Sequence, residues 1–581
     1  MKRYHVRNEI SLEARDNLKN YSPLVSHLLF HRGIEGGKQA EVFLNPDYVS
    51  GVHDPFLMKN MEKTVNRIFE AIEKNEKIAI YSDYDCDGIP AGVILHDFFK
   101  KIGYHNFENY IPHRHTEGFG LNSEAMKSLS KGGATLLITA DCGIADVKEI
   151  EEAEKLGMNV IVTDHHEPGA VLPPAFTILD SKQKDCLYPD KNLCGSGVAF
   201  KLIQALCLRF SDPSFLNPTP YKLNASPTGW EKWLLDLVGL ATLSDMVPLV
   251  GENRVYAHYG LTVLKKTPRI GLRKLFSVTK INQSFITEDD IGFTISPRIN
   301  AASRMGHPMD AFRLLSTTDE TEAGTLAQYL VKLNEERKGT VASMVKEMRH
   351  AVRERHRERV PSVIVMGNPK WKPALLGLAA NTFVEEHNCP VFLWGREGDK
   401  VLKGSCRSDG SVNLLELMGE TRGIFEQFGG HRMSGGFTLT IDSIEKLESE
   451  IERAYGELVA QRKEEIYFAD KRLSVHEVGW DLYRHVEKLA PFGVGNPKPL
   501  FLFEQALLKK VKAFGKEGNH TELTLTDEDG FTAVPAIGFF MKPDDFGEKL
   551  KAGERIDMVA SLEKSVFRGF PELRLRIVDI L

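Results

Sequence analysis

The stretch Ile78-Ala79-Ile80-Tyr81-Ser82-Asp83-Tyr84-Asp85-Cys86-Asp87-Gly88 decides the fold. Ile78 to Ile80 is apolar and rich in β-branching, as a buried strand requires. Asp83, Asp85 and Asp87 then fall at alternate positions before a glycine. Beyond Pro90, the residues Val93, Ile94, Leu95, Phe98, Phe99 and Ile102 recur at helical spacing. Open α/β sheets bind ligands beyond the carboxyl ends of their strands. Carboxylates packed this closely repel one another, so a cation belongs among them; Mg²⁺ or Mn²⁺ suits such oxygen-rich sites. Taken alone, the same aspartates also fit an acidic turn capping the next helix.

Working outward, the pattern repeats. Met61, Val65, Ile68, Phe69 and Ile72 form one helix face leading into the opening strand. Thr135 to Thr139 reads as a strand ending in Ala140-Asp141-Cys142-Gly143, after which Asp146 is expected to cap a helix. Val160 to Thr163 is the next strand, ending in Asp164-His165-His166. This alternation implies a parallel sheet, with polar side chains just past three successive strands. Residues 1–60 show one short helical pattern, Leu24 to Phe30, and are expected to pack on this main domain.

Residues 211–230 form a Pro/Asn/Ser-rich loop. An apolar segment, Trp233 to Leu243, then runs into Ser244-Asp245. Ser296 to Gly306 reads as a loop carrying Arg298 and Arg304. Residues 320–358 read as one long helix, whose end, Arg353 to Arg359, is polar all round. That suits a bridge between domains and a merely solvated face equally. A second α/β unit begins at Ser362 to Met366, with a helix after Lys372-Pro373, strands near Val391 to Trp394 and Leu402 to Ser405, and a glycine-rich turn at Gly429-Gly430-His431. From about residue 465 short alternating segments, Glu522 to Leu525, Phe531 to Ile537, Ile556 to Ser561 and Glu572 to Ile577, suit a small barrel such as an OB-fold.

Composition narrows the class. A chain of 581 residues exceeds one ordinary core, and roughly three to five domains are expected. With 42% hydrophobic and 27% charged residues it is neither disordered nor membrane-like. No apolar run approaches the ~20 residues of a membrane span, and the start, MKRYHVRNEISLEARD, lacks a secretory core; a cytoplasmic location follows as an expectation. Seven cysteines without a CxxC pair indicate neither a disulfide framework nor structural zinc. The net charge of −6 argues against indiscriminate nucleic-acid binding but leaves room for a basic groove.

Taken together, Asp85/Asp87, Asp141, Asp164-His165-His166 and Asp245 resemble the four motifs of the DHH phosphoesterase superfamily. Gly429-Gly430-His431 with Gly435-Gly436 resembles the glycine-histidine motif of its companion DHHA1 domain. Pro112 to Gly118, Pro297 to Arg304 and Pro491 to Pro499 are similar to segments of the bacterial RecJ family of single-strand-specific 5′→3′ DNA exonucleases. The resemblance implies an N-terminal extension (1–60), a parallel-sheet DHH domain (61–320), a linking helix (321–360), a smaller α/β DHHA1 domain (361–464) and a C-terminal OB-fold (465–581). It implies two Mn²⁺ or Mg²⁺ ions on Asp85, Asp87, Asp141, His165 and Asp245, with Asp141 bridging. His166 would sit near the scissile phosphate, with Asp164 and Asp83 behind the ligands. Arg114, Arg298, Arg304, Arg407 and His431 would bind phosphates, and Lys509, Lys510, Lys512 and Phe514 would track a single strand. It further implies single-stranded DNA as substrate, and a single-strand binding protein and a RecQ-like helicase as partners. The rival readings are a phosphodiesterase for short oligonucleotides or cyclic dinucleotides, a pyrophosphatase, and a non-catalytic single-strand-binding scaffold. Three positions depart from the pattern: Tyr81 replaces a histidine of the manganese pyrophosphatases, and Ser296 and Ser303 stand where glycine is usual.

Overall fold

In a computed structural model of the protein, strand Lys77–Ser82 lies inside a five-stranded sheet. The order is Phe107–Tyr110, Lys77–Ser82, Ala134–Ala140, Asn159–Thr163, Thr177–Leu179, and every pairing is parallel. The structure describes residues 4–212, 229–356, 361–397, 401–459, 466–515, 518–527, 529–530, 532–544, 546, 550–565 and 570–581. Most of the expected loop 211–230, the end of the long helix and Phe531 lie outside these. Ile78 to Ser82 and Leu136 to Ala140 are buried, as sheets covered on both faces demand. The chain leaves Ser82 for the edge strand Phe107–Tyr110 and then crosses back to Ala134–Ala140. The paired ends Ser82 and Ala140 therefore flank the point where strand order reverses, which is where such sheets open a crevice.

Two sequence expectations change here. Ser296 to Met305 is a helix entered through a π-helical turn, Ile291–Ile295, not a loop. Pro297 misleads because, in the first helical turn, its missing N–H costs nothing. Asp146 precedes helix Val147–Lys155 without capping it; its carboxylate instead accepts the Leu121 N–H (2.9 Å).

The helix Glu320–His356 continues from this lobe into the next. Leu326, Leu330 and Leu333 are buried in its first half, and Met344, Val345, Met348 and Val352 pack on the second lobe's core. That lobe holds a mixed sheet ordered Phe425–His431, Ser434–Leu439, Val401–Arg407, Val391–Glu397, Ile364–Gly367, with only the last pair parallel. Gly429-Gly430-His431 is the end of a strand, paired with Ser434 to Gly436, and the turn itself is Arg432-Met433. Both lobes belong to one compact unit, Pro55–Asp245 with Thr262–Glu464.

The other unit joins Met1–Asp54, Met246–Leu261 and Glu465–Leu581. Its barrel runs Phe501–Phe514, His520–Thr526, Ala533–Gly538, Glu572–Ile580, Arg555–Ser565 and closes back onto Phe501–Leu507. Tyr4–Val6 pairs in parallel with Tyr467–Ala469. Leu24, Val25, Leu28 and Leu29 share the hydrophobic core of the barrel, so the N-terminal segment packs with the C-terminal domain and not, as expected, with the main one. Arg254 ties the three pieces: its guanidinium donates to the carbonyls of Phe43 (2.6 Å), Leu489 (3.0 Å) and Ala490 (3.0 Å).

A candidate metal centre at the sheet's reversal point

The loop after Ser82 is shaped by its own carboxylates. Asp85 Oδ1 accepts the N–H groups of Asp87 (2.8 Å) and Gly88 (3.0 Å), folding Asp83 to Asp87 back on itself. Gly88 is required there, because a Cβ would lie 2.6 Å from the Asp83 carbonyl oxygen. Asp141 follows Ala140 in the left-handed region (φ 66°), which turns its carboxylate toward the aspartates of the neighbouring loop.

Three overlapping groups of side chains converge closely enough to hold a cation: Asp83, Asp85 and Asp141; Asp87, His165 and Asp245; and Asp141, His165 and His166. Asp141 and His165 each occur in two of them. His165 Nε2 lies 3.1 Å from Asp141 Oδ1, 3.7 Å from Asp87 Oδ2 and 3.8 Å from Asp245 Oδ2. Asp83 Oδ1 and Asp141 Oδ1 are buried without a hydrogen-bond partner. Burial and mutual repulsion push the carboxyls of Asp83 and Asp141 well above their ordinary range, and that of Asp245 up to about 8. Buried carboxylate oxygens with no proton donor, beside a neutral imidazole, form a donor set that fits Mn²⁺ or Mg²⁺. Asp83 thus stands among the possible ligands, where the sequence reading had it behind them.

Asp164 has a different part. Its Oδ1 accepts the N–H groups of His165 (2.7 Å) and His166 (3.2 Å) and contacts His166 Nδ1 (2.7 Å), while Oδ2 accepts the Ile144 N–H (2.9 Å). With both oxygens engaged it orients the two histidines. Although burial opposes it, this contact raises the His166 pKa to about 9.

Sequence reading missed the support of Asp87. Gly195 and Ser196, at the start of helix Gly195–Ser211, donate backbone N–H groups to its Oδ2 (2.6 Å) and Oδ1 (2.7 Å). Asn300 Oδ1 likewise accepts the Cys86 N–H (2.9 Å). A Cys194-Gly195-Ser196-Gly197 run opening an apolar helix was the available signal. Tyr81, the substituted histidine position, is fully buried and donates its hydroxyl to the Gly120 carbonyl (2.9 Å).

A cleft of about 720 Å³ opens between the two lobes, lined by Tyr84, Arg114 and Phe119 on one side and by Arg407, Gln427 and Gly429 to His431 on the other. Phe119 also meets the ring of His166 edge-on at 6.0 Å. Arg114 lies over the Tyr84 ring (4.9 Å). Arg407 is held by Ser405 Oγ (3.1 Å) and the Cys406 carbonyl (2.8 Å). Arg304 donates across the lobes to the Ala374 carbonyl (2.6 Å). Burial and the nearby guanidinium groups of Arg114, Arg337 and Arg407 push it down to about 9. Arg298 lies on the same helix, its Nη1 bound to the Thr294 carbonyl (2.6 Å). Lys509, Lys510 and Lys512 are exposed on strand Phe501–Phe514 of the barrel.

Sequence profiles of the DHH family N-terminal domain, the DHHA1 domain and the RecJ OB domain match residues 77–242, 360–457 and 469–579. The single-stranded-DNA-specific exonuclease RecJ of Bacillus subtilis is 34% identical over 99% of this chain and 70% of its own length. The chain belongs to the RecJ family. RecJ of Escherichia coli is 29% identical over 98% of this chain and 97% of its own. Among solved structures, RecJ of Thermus thermophilus in complex with Mn²⁺ is 25% identical, with a TM-score of 0.79 over 100% of this chain and 79% of that one. An exonuclease RecJ bound to manganese is 29% identical, with a TM-score of 0.57 over 70% of this chain and 97% of that one. RecJ proteins thus bind manganese on the fold whose strand ends here gather the aspartates and His165.

Proposed function

We propose that this protein is a metal-dependent exonuclease that degrades single-stranded DNA from its 5′ end to 5′-mononucleotides, in DNA repair and recombination. The observation that carries the reading is the overlap of the three ligand groups beneath an arginine-lined cleft. In this reading Asp85, Asp87, Asp141, His165 and Asp245 are the ligands, with Asp83 alongside them. Two divalent ions held there would lower the pKa of a bound water and neutralise charge developing on the phosphoryl centre. The chain's own residues do the rest. Asp141 joins the two halves of the donor set, and Asp164 fixes the His165 and His166 rings. His166 faces the reacting phosphate, and Arg407 with His431 receives the terminal 5′-phosphate. The division into residues 61–320, 321–360, 361–464 and 465–581 is proposed as the functional plan, with Met246–Leu261 lent to the barrel's unit and the barrel binding single strands.

The family resemblance alone supports a single-strand binding protein and a RecQ-like helicase as partners, and a cytoplasmic location. Among the described residues no helix is long and apolar enough to cross a membrane.

The test is Mn²⁺-dependent digestion of single strands labelled at either end, beside duplex, dinucleotide and cyclic dinucleotide substrates. Release of mononucleotides from the 5′ end, abolished by Asp141→Ala while strand binding survives, is expected. Preferential cleavage of the short or cyclic substrates would favour the phosphodiesterase reading. Strand binding without hydrolysis would favour the scaffold.

A further inference from the structure

Two helices that meet at the metal centre are also tied together at their far ends. Helix Gly88–Ile102 starts beside Asp87, and helix Leu235–Ser244 runs into Asp245. The two pack against each other, and the carboxylates of Asp87 and Asp245 lie 3.7 and 3.8 Å from His165 Nε2. Asp97 stands ten residues after Asp87, and Asp236 nine before Asp245, so both lie roughly 14–15 Å along their helices from the metal centre. There Arg269, just ahead of helix Ile270–Thr279, binds the two of them. Its Nε donates to Asp236 Oδ2 (3.1 Å), while its Nη1 lies 3.0 Å from Asp97 Oδ2 and donates to the Leu315 carbonyl (2.7 Å). Thr267 Oγ1 donates to the same Asp236 oxygen (2.6 Å). The side chains of Asp236 and Arg269 are 2% and 12% exposed.

Both helices are otherwise largely apolar and buried. Apolar burial is non-directional, so by itself it defines the slide of one helix along the other only weakly. A buried ion pair contributes little net stability, because desolvation offsets attraction; its best-attested use is to fix register. A guanidinium suits that task, since its planar fork is rigid. With a clamp at one end and proposed ligands at the other, any slide of one helix changes the spacing of Asp87 and Asp245. Asp87 is held besides by the N–H groups of Gly195 and Ser196. Asp245 sits at a helix end, 27% exposed, and depends on the clamp more. The group Asp83, Asp85 and Asp141 takes no member from the second helix. We infer that Arg269 is a positioning residue for the metal centre: through Asp97 and Asp236 it sets the register of the two helices, and so the fit of Asp87 and Asp245 around one of the two ions. The inference rests on the two-ion reading of the centre.

The experiment titrates Mn²⁺ calorimetrically into the full-length, EDTA-treated protein and its variants, with thermal melting in the absence of metal and turnover measured against Mn²⁺ concentration. The wild type should take up two ions. Asp97→Ala cuts the first helix loose while leaving Arg269 paired with Asp236. It should weaken one of the two Mn²⁺ affinities about tenfold, as loss of a ligand's support does, and leave the other unchanged. Half-maximal turnover should then need about tenfold more Mn²⁺, with the rate restored at saturation. Arg269→Lys keeps the charge but cannot span two carboxylates, and should weaken the same affinity. Arg67→Lys is the structural control. That buried arginine binds Glu76 (2.6 Å) and Asn159 (2.9 Å) at the opposite end of the sheet, so its melting temperature should fall with both affinities intact. Two wild-type affinities in folded Asp97→Ala overturn the clamp, and so does equal weakening of both. If that variant does not fold, wild-type affinities in Arg269→Lys overturn it. A single Mn²⁺ event in the wild type would instead sink the two-ion reading, and the clamp with it.

Discussion

Gly195 stands so close to Asp141 that no side chain fits between them. A methyl group on Gly195 would lie 2.6 Å from Asp141 Cβ, while the Gly195 N–H holds Asp87 Oδ2 at 2.6 Å. Two carboxylates from different loops are therefore positioned by one glycine. Gly195→Ala should displace Asp141 and cost on the order of a hundredfold in turnover, the usual consequence of a ligand misplaced by about 1 Å. Mn²⁺ affinity should fall with it and the melting temperature should move little. Turnover and Mn²⁺ titration within twofold of wild type would contradict this.

The metal-free protein should lose stability as pH rises. Asp245 is raised to about 8 and Asp83 and Asp141 are raised well above their ordinary range by burial and mutual repulsion, so the folded state binds protons that the unfolded state, with carboxyls near pH 4, has released. Stability is then complete below about pH 4 for these groups and declines as pH climbs through 8. In EDTA the melting temperature should drop between pH 6 and pH 9, and Asp245→Asn should flatten the drop. Added Mn²⁺ should stabilise more at the higher pH, because its ligands must be deprotonated. A melting curve that is level in EDTA over this range would show that the carboxylates are not coupled as their burial requires.

Arg407 offers a test of end recognition. Replacing it with alanine should reduce the preference for 5′-phosphorylated over 5′-hydroxyl strands by about ten- to a hundredfold, the worth of one charge-assisted contact, at unchanged Mn²⁺ affinity. Paired digestion of the two oligonucleotides reads this directly. A constant preference would move the terminal pocket to Arg298 and Arg304.

Arg254→Met should destabilise the unit it ties together by about 3–5 kcal/mol, since several buried carbonyls lose their donor. Urea unfolding followed by fluorescence of Trp480, which belongs to that unit, would measure it. A shift below about 1 kcal/mol would mean that other donors replace the guanidinium.

The parts legible in the sequence were those in which local pattern and chemistry coincide. Lys77–Ser82, Ala134–Ala140 and Asn159–Thr163 are apolar because both faces of a parallel sheet are covered, and each ends in the side chains that gather at the metal centre. What stayed hidden was non-local. Gly195 and Ser196 support Asp87 from 108 and 109 residues away, and no periodicity reports that. Ser296–Met305 offers few apolar residues and an early proline, so its helix comes from packing and not from pattern. The glycines at 429 and 430 suggested a turn because of their freedom, yet Gly430 serves close pairing: a Cβ there would clash with the Ser434 backbone, whereas one on Gly429 would meet nothing. The N-terminal helices advertised an apolar face without revealing which core would receive it.

The parallel pairing of Tyr4–Val6 with Tyr467–Ala469 sets a timetable for biosynthesis. Tyr4–Val6, once synthesised, waits for more than four hundred further residues before its partner exists, and Leu24, Leu28 and Leu29 wait with it for the barrel. At ~5–20 residues per second that interval is roughly 20–90 s. Once Leu179 has been made, and for the rest of that interval, the nascent chain carries an apolar, unpaired segment ahead of a parallel-sheet lobe whose own strands are already complete. Chaperone dependence during synthesis should therefore map to this segment, although in the finished protein its Leu24, Val25, Leu28 and Leu29 are buried.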